Sequence, residues 1–167
     1  MKKELQNYIK SIKANTSEGV GFAGAFLFTL ENVETGEVEK KFFHNVITKD
    51  GREMMMEHLL ESAPSADMYV TEIALGTDAT TVSEDDTDMT TETYRNDVTS
   101  HAQGSGATRN IGYVTGFFSQ TECSGDYKEV GIFCGDVLFS HCNIDVSKTT
   151  VQKMTVDWVI TFSKVTA

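Results

Sequence analysis

Apolar and polar positions alternate with a period of two through most of the chain, the mark of half-buried β-strands. The clearest run is MTVDWVITF, where Met154, Val156, Trp158, Ile160 and Phe162 alternate with Thr155, Asp157, Val159 and Thr161. AFLFTLENV repeats the pattern from Ala25, with Phe26, Phe28 and Leu30 on one side. VEKKFFHNV returns after a turn around Thr35 and Gly36, and its lysines predict an exposed or edge strand. MYVTEIALG (68–76) and IGYVTGFFS (111–119) read as two further strands. In the second, Gly112 and Gly116 share a face, which predicts a bend or a close approach of another backbone.

EVGIFCGDVLF (129–139) is apolar on both sides of Gly135-Asp136, a pair that predicts a type II′ hairpin turn. An unbroken register sets Cys134 against Val137, Phe133 against Leu138, Ile132 against Phe139 and Val130 against His141. His141 then shares a face with Val130 and Ile132, Glu129 takes the other face, and Cys134 and Cys142 face opposite ways. With both faces mostly apolar, the hairpin is expected at the centre of the fold and covered on each side.

Two stretches follow the helical period instead. Leu5, Tyr8, Ile9 and Ile12 fall at i, i+3, i+4 and i+7, predicting a short amphipathic helix over 2–13. So short a helix is marginal alone, so its stripe is read as a docking face, for its own domain or for a neighbouring subunit. Asn15 to Gly24 reads as a linker. Asp50 and Glu53 suit a capping box opening a second helix, with Met55, Met56, Leu59 and Leu60 as its buried face and Pro64 beyond its end. The polar stretches 77–95 and 100–110 read as loops. The prediction is a mainly β fold: an antiparallel β-sandwich, jelly-roll-like, with one internal helix and a short N-terminal helix. Residues 1–24 form the helix and linker, and 25–167 the sandwich domain.

Charge narrows the functions open to it. The 167 residues carry a formal net charge of -11, and eleven acidic residues with no Lys or Arg lie between Glu53 and Tyr94. Such a surface repels polyanions, so nucleic acid is not an expected partner. No apolar run has the length of a membrane span and no leader-like apolar stretch opens the chain, so a soluble protein made in a reducing cytoplasm is expected. Three cysteines make no disulfide framework and are read as buried thiols. Glu84, Asp85, Asp86 and Asp88 could hold calcium but lack the spacing of a calcium loop. His141 with Cys123, Cys134 and Cys142 could supply zinc ligands, at irregular spacing. Hydrolase, metalloprotease and phosphate-loop motifs are absent, so no catalytic residue, metal or cofactor is assigned. Two charged sets remain, Glu92 with Arg95 and Glu129 with Lys148. A proton-transfer carboxylate is one reading of them; paired charges that pin loop ends is the reading adopted.

These residues also stand in a recurring order. Thr48 and Gly51 precede a helix, Leu75-Gly76-Thr77 precede a polar loop ending in Glu92 and Arg95, and Glu129 to Phe133 are followed by Lys148-Thr149 and a strand. Over residues 45–162 this series resembles small virion proteins of tailed bacteriophages, including the baseplate-proximal domains of tail-collar fibre proteins. The prolines common in that loop are missing, and no fibre shaft follows, which points to a compact piece on the tail, neck or head. The resemblance implies a non-enzymatic, β-rich subunit of the tail or baseplate, located in the virion and assembled in several copies against other virion proteins. A head or neck (collar or decoration) component, or a host-surface or carbohydrate-binding module, is the alternative.

Overall fold

The computed structural model describes residues 19–60 and 69–165; the predicted helix over 2–13, with Leu5, Tyr8, Ile9 and Ile12, lies outside them. The chain runs β1 (Gly19–Asn32), β2 (Val38–His44), β3 (Val46–Ile47), α1 (Lys49–Leu60), β4 (Glu72–Gly76) and β5 (Glu92–Asp97). It continues with β6 (Ser100–Gln103), a 3₁₀ turn (Gly106–Thr108), β7 (Ile111–Phe118), β8 (Gly125–Cys134), β9 (Val137–Lys148) and β10 (Gln152–Val165). The strands make two five-stranded antiparallel sheets, β2-β1-β10-β7-β6 and β3-β9-β8-β4-β5. The sheets pack together, with one α-helix among the described residues.

The alternation read from the sequence accounts for the core. Phe26, Phe28 and Leu30 of β1 stand beside Trp158, Val156 and Met154 of β10. All six are buried against Ile73, Leu75, Val130 and Ile132 of the second sheet. Gly116 belongs to the same interface, where a Cβ would come 2.8 Å from Ile73 Cδ1, so the close approach is to a side chain of the facing sheet. The lysine-bearing strand β2 is an edge, as its composition predicts.

Several expectations need correction. Strand β1 begins at Gly19, inside the stretch read as linker, so the sandwich takes up residues assigned to the N-terminal segment. Strands β5 and β6 lie in stretches read as loops. Both are short, polar edge strands, and such strands carry little apolar alternation to detect. Helix α1 starts at Lys49, and its cap is Thr48, whose Oγ1 accepts from Gly51 N at 3.0 Å. The same hydroxyl donates to Leu138 O at 2.5 Å, tying the helix start to β9. Gly51 lets the helix sit there, since a Cβ would meet Phe139 O at 2.6 Å. Met54, not Met56, is the buried anchor of the helix; Met56, Leu59 and Leu60 are exposed. The starting point moved the face: docking through Gly51 turns Met54 inward.

The hairpin is central as expected, with β8 the middle strand of its sheet. Gly135 takes φ +59° while Asp136 stays at negative φ, as a type II′ turn requires. The register holds for Cys134 with Val137 and Phe133 with Leu138, then slips: Ile132 pairs with Ser140, Gly131 with His141 and Val130 with Cys142. Phe139 is the extra residue of a β-bulge. Beyond it every side chain of β9 changes face. Cys142 therefore joins Cys134 in the core, and His141 moves to the outer face with Glu129.

Candidate functional site

The outer face of the second sheet is closed by the segment 77–91, which leaves β4 at Gly76 and enters β5 at Glu92. Beneath it, Ala74, Met89, Phe133 and Leu138 form a small apolar cluster, all buried. Beside that cluster the bulge sets His141 next to Glu129, both about 1% exposed. Glu129 Oε1 accepts from Thr91 N at 2.7 Å, and Oε2 accepts from Thr90 N at 3.1 Å. His141 Nε2 lies 2.9 Å from the same Oε2, and His141 Nδ1 lies 2.8 Å from Asp86 Oδ2. Each ring nitrogen thus faces a carboxyl oxygen.

Local sequence sets up each contact. Gly76 is required at the mouth, because a Cβ there would come 2.4 Å from Glu129 Oε1 and 2.6 Å from Thr91 O. Ser83 N donates to Asp86 Oδ2 at 2.8 Å, which turns that carboxylate toward His141. Asn143, next on β9, accepts from Val82 N at 2.9 Å and donates to Thr80 O at 2.7 Å. Arg52 meets Glu84 at 2.8 Å, Lys49 pairs with Asp85, and Lys49 N donates to Glu84 O at 2.7 Å. The acidic loop is thereby tied to α1 at one point and to β8 and β9 at two others.

The residues picked from sequence divide between this site and its surroundings. Arg95 forks onto Glu92, Nε to Oε1 at 2.9 Å and Nη2 to Oε2 at 2.5 Å, and reaches Glu72 at 3.3 Å. Its guanidinium lies 3.7 Å over the Phe133 ring, covering the apolar cluster from the β5 side. The Glu92 hydrogen bond is the main reason the Arg95 pKa rises. Glu129 and Lys148 do not meet each other. Lys148 is buried and donates to Glu122 O at 2.7 Å and Gln120 O at 3.3 Å, so it holds the 119–124 turn by carbonyls and not by an opposed carboxylate. Burial lowers its pKa. In that turn Cys123 takes φ +42°, the one non-glycine at positive φ among the described residues.

His141 is the side-chain partner of Glu129 that sequence reasoning missed, with Asp86 on the far ring nitrogen of that histidine. A signal for them existed. Cys142, Ile144 and Val146 are apolar at even positions, whereas the turn puts Val137 and Phe139 inward at odd ones. One extra residue, Phe139, reconciles the two phases and moves His141 to the Glu129 side.

The alternative metal readings find different arrangements. Glu84, Asp85 and Asp86 each face a cation or imidazole of the chain, and Asp88 accepts from Met89 N at 2.8 Å. No group of three or more His, Cys, Asp or Glu that could hold a metal occurs among the described residues. Cys123, Cys134 and Cys142 are free and buried, and burial pushes each thiol up to about 12. No described helix is long and apolar enough to cross a membrane.

No family model, curated protein or solved structure matches this chain.

With both oxygens of Glu129 occupied by donors and the carboxylate out of solvent, the arrangement can hold a loop firmly and has no open approach for a reagent. It is a latch: Glu129 and His141, with Asp86 on the far ring nitrogen, close the segment 77–91 over β8.

Proposed function

We propose that this protein is a non-enzymatic structural subunit of a tailed-bacteriophage virion, a component of the tail or baseplate that binds other virion proteins in several copies. One observation carries the reading. Thr48, Gly51, Gly76, Glu92, Arg95 and Glu129, residues from separate parts of the motif series, converge on holding α1 and the segment 77–91 against one sheet. A motif series that acts as a brace suits an assembly part, whose surface must keep its shape against neighbours. Exposed Met56, Leu59 and Leu60 on α1 add an apolar patch of the kind that a neighbouring subunit covers. The jelly-roll-like description of the sandwich goes with this reading, supported by a chain that passes back and forth between the two sheets.

The test is mass spectrometry of purified particles together with the size of the isolated protein. The expected result is stoichiometric incorporation and a self-associating or partner-bound form. A stable monomer absent from particles overturns the proposal, and a positive glycan array on that monomer would favour the adhesin reading instead.

A further inference from the structure

Gly112 and Gly116 share the inner face of β7, yet the facing sheet accounts only for Gly116. A Cβ at Gly112 would meet Ile160 alone among the described residues, with Cγ2 at 3.1 Å and O at 4.0 Å. The room left there is an apolar cleft of about 340 Å³ beside the β6 edge. Small-molecule sites run from about 300 to 1,000 Å³, so the cleft is large enough for a small ligand. Two cross-strand rows form its floor: His101, Val114 and Trp158, then Gln103, Gly112 and Ile160. Gly112 is the middle position of the second row, so the cleft exists because that position has no side chain. Val70, just ahead of β4, borders it from the side of the second sheet.

Two polar side chains of the lining are turned to backbone carbonyls. His101 Nε2 lies 2.6 Å from Val70 O, and Gln103 Nε2 donates to Arg109 O at 2.7 Å. Trp158 differs. It is about 1% exposed, and its indole Nε1 has no hydrogen-bond partner. The Phe26 and Phe139 rings beside it, at centroid distances of 6.5 and 5.8 Å, carry no acceptor oxygen. A buried N–H without an acceptor is rare and costly, and an acceptor brought into the cleft that Trp158 lines removes the cost. No Asp, Glu, Lys or Arg is among the described residues of the lining, so an ion would lose its hydration there and gain no partner.

We propose that this cleft binds a small neutral molecule with an apolar body and one acceptor oxygen, such as a cyclic ketone, lactone or ester, whose oxygen takes the Trp158 indole N–H. The apolar body lies in the gap over Gly112, against Val70, Val114 and Ile160. The site is separate from the brace on the second sheet and does not depend on the virion reading.

The test is NMR of the ¹⁵N-labelled full chain, in which the single tryptophan gives one indole cross-peak. Cyclohexanone is titrated as the probe, with methylenecyclohexane as the same shape without the oxygen. The expected result is a saturable downfield move of the Trp158 indole proton with the ketone and none with the hydrocarbon. An indole peak that stays in place, or that moves alike with both compounds, overturns the proposal. Gly112→Val fills the middle of the floor and should weaken cyclohexanone binding by about tenfold or more, in a variant whose dispersed spectrum shows the fold retained. Undiminished binding in that folded variant also overturns it. Should the variant fail to fold, the wild-type titration with the two probes decides the matter.

Discussion

Replacing Glu129 by alanine tests the latch most directly. The change removes the acceptor of Thr90 N and Thr91 N and leaves His141 facing Asp86 alone, all near the centre of the second sheet. Deleting one partner of a buried charge pair typically costs about 3–5 kcal/mol. Two orphaned amides would add about 1–3 kcal/mol each if the segment stayed closed. The segment has an escape, however: it can lift and let water satisfy both amides, at the loss of Met89 from its apolar cluster. The lower end therefore governs, about 3 kcal/mol, or roughly 6–12 °C in Tm for a domain of this size. Urea unfolding followed through Trp158, the single tryptophan, gives the value directly. His141→Ala should cost a similar amount, and the double variant should fall short of the sum by about 1 kcal/mol or more, since the two share one bond. A Glu129→Ala loss below about 0.5 kcal/mol, the scale of an ordinary surface change, or strict additivity with His141→Ala, would refute the latch.

Two further outcomes follow from the same geometry. Arg95→Ala loses the fork to Glu92, the contact to Glu72 and the cover over Phe133, and should cost about 1–2 kcal/mol in urea melts; Arg95→Lys should recover little, because an ammonium cannot make the fork, and full recovery would show that charge alone matters. Burial raises the Asp157 pKa, with the Thr115 hydrogen bond opposing. Its folded form therefore favours the proton, so its contribution is full below about 3.9, the unfolded value, and is lost as pH rises through the raised one. Asp157→Asn should flatten that descent and be the more stable protein at pH 7, as read from urea midpoints at pH 4 and 7; a parallel pair of pH curves would count against it.

Most of the sandwich could be read from apolar alternation because β1, β7, β8 and β10 each send alternate apolar residues into the core between the sheets. Where alternation fails, so does the reading. Strand β6, SHAQ, is exposed along its length and looks like any polar loop. Helix α1 was recognisable by its cap and its methionines, but the choice of Asp50 over Thr48 shifted the start, and the inward face with it. The site shows the same sensitivity. Glu129 could be singled out, yet its partners lay 12 residues on, behind a bulge, and 38 and 39 residues back at the Thr91 and Thr90 amides. Long-range pairing of this kind depends on register, and a local pattern carries register only when both strands are counted outward from the turn. Arg95 and Glu92 were visible because they are three residues apart; the Phe133 ring beneath them was not.

The edges of the two sheets have a consequence for how this protein meets others. The first sheet ends on β2, with Glu39, Lys40 and Lys41 along it, and on the four-residue β6; the second ends on the two-residue β3 and on β5, which carries Glu92, Arg95 and Asp97. Short or charged borders are poor templates for adding a strand from another chain. A partner chain would therefore be met by side chains on faces and loops, not by a shared backbone ladder. The same borders disfavour edge-to-edge fusion of copies into fibrils.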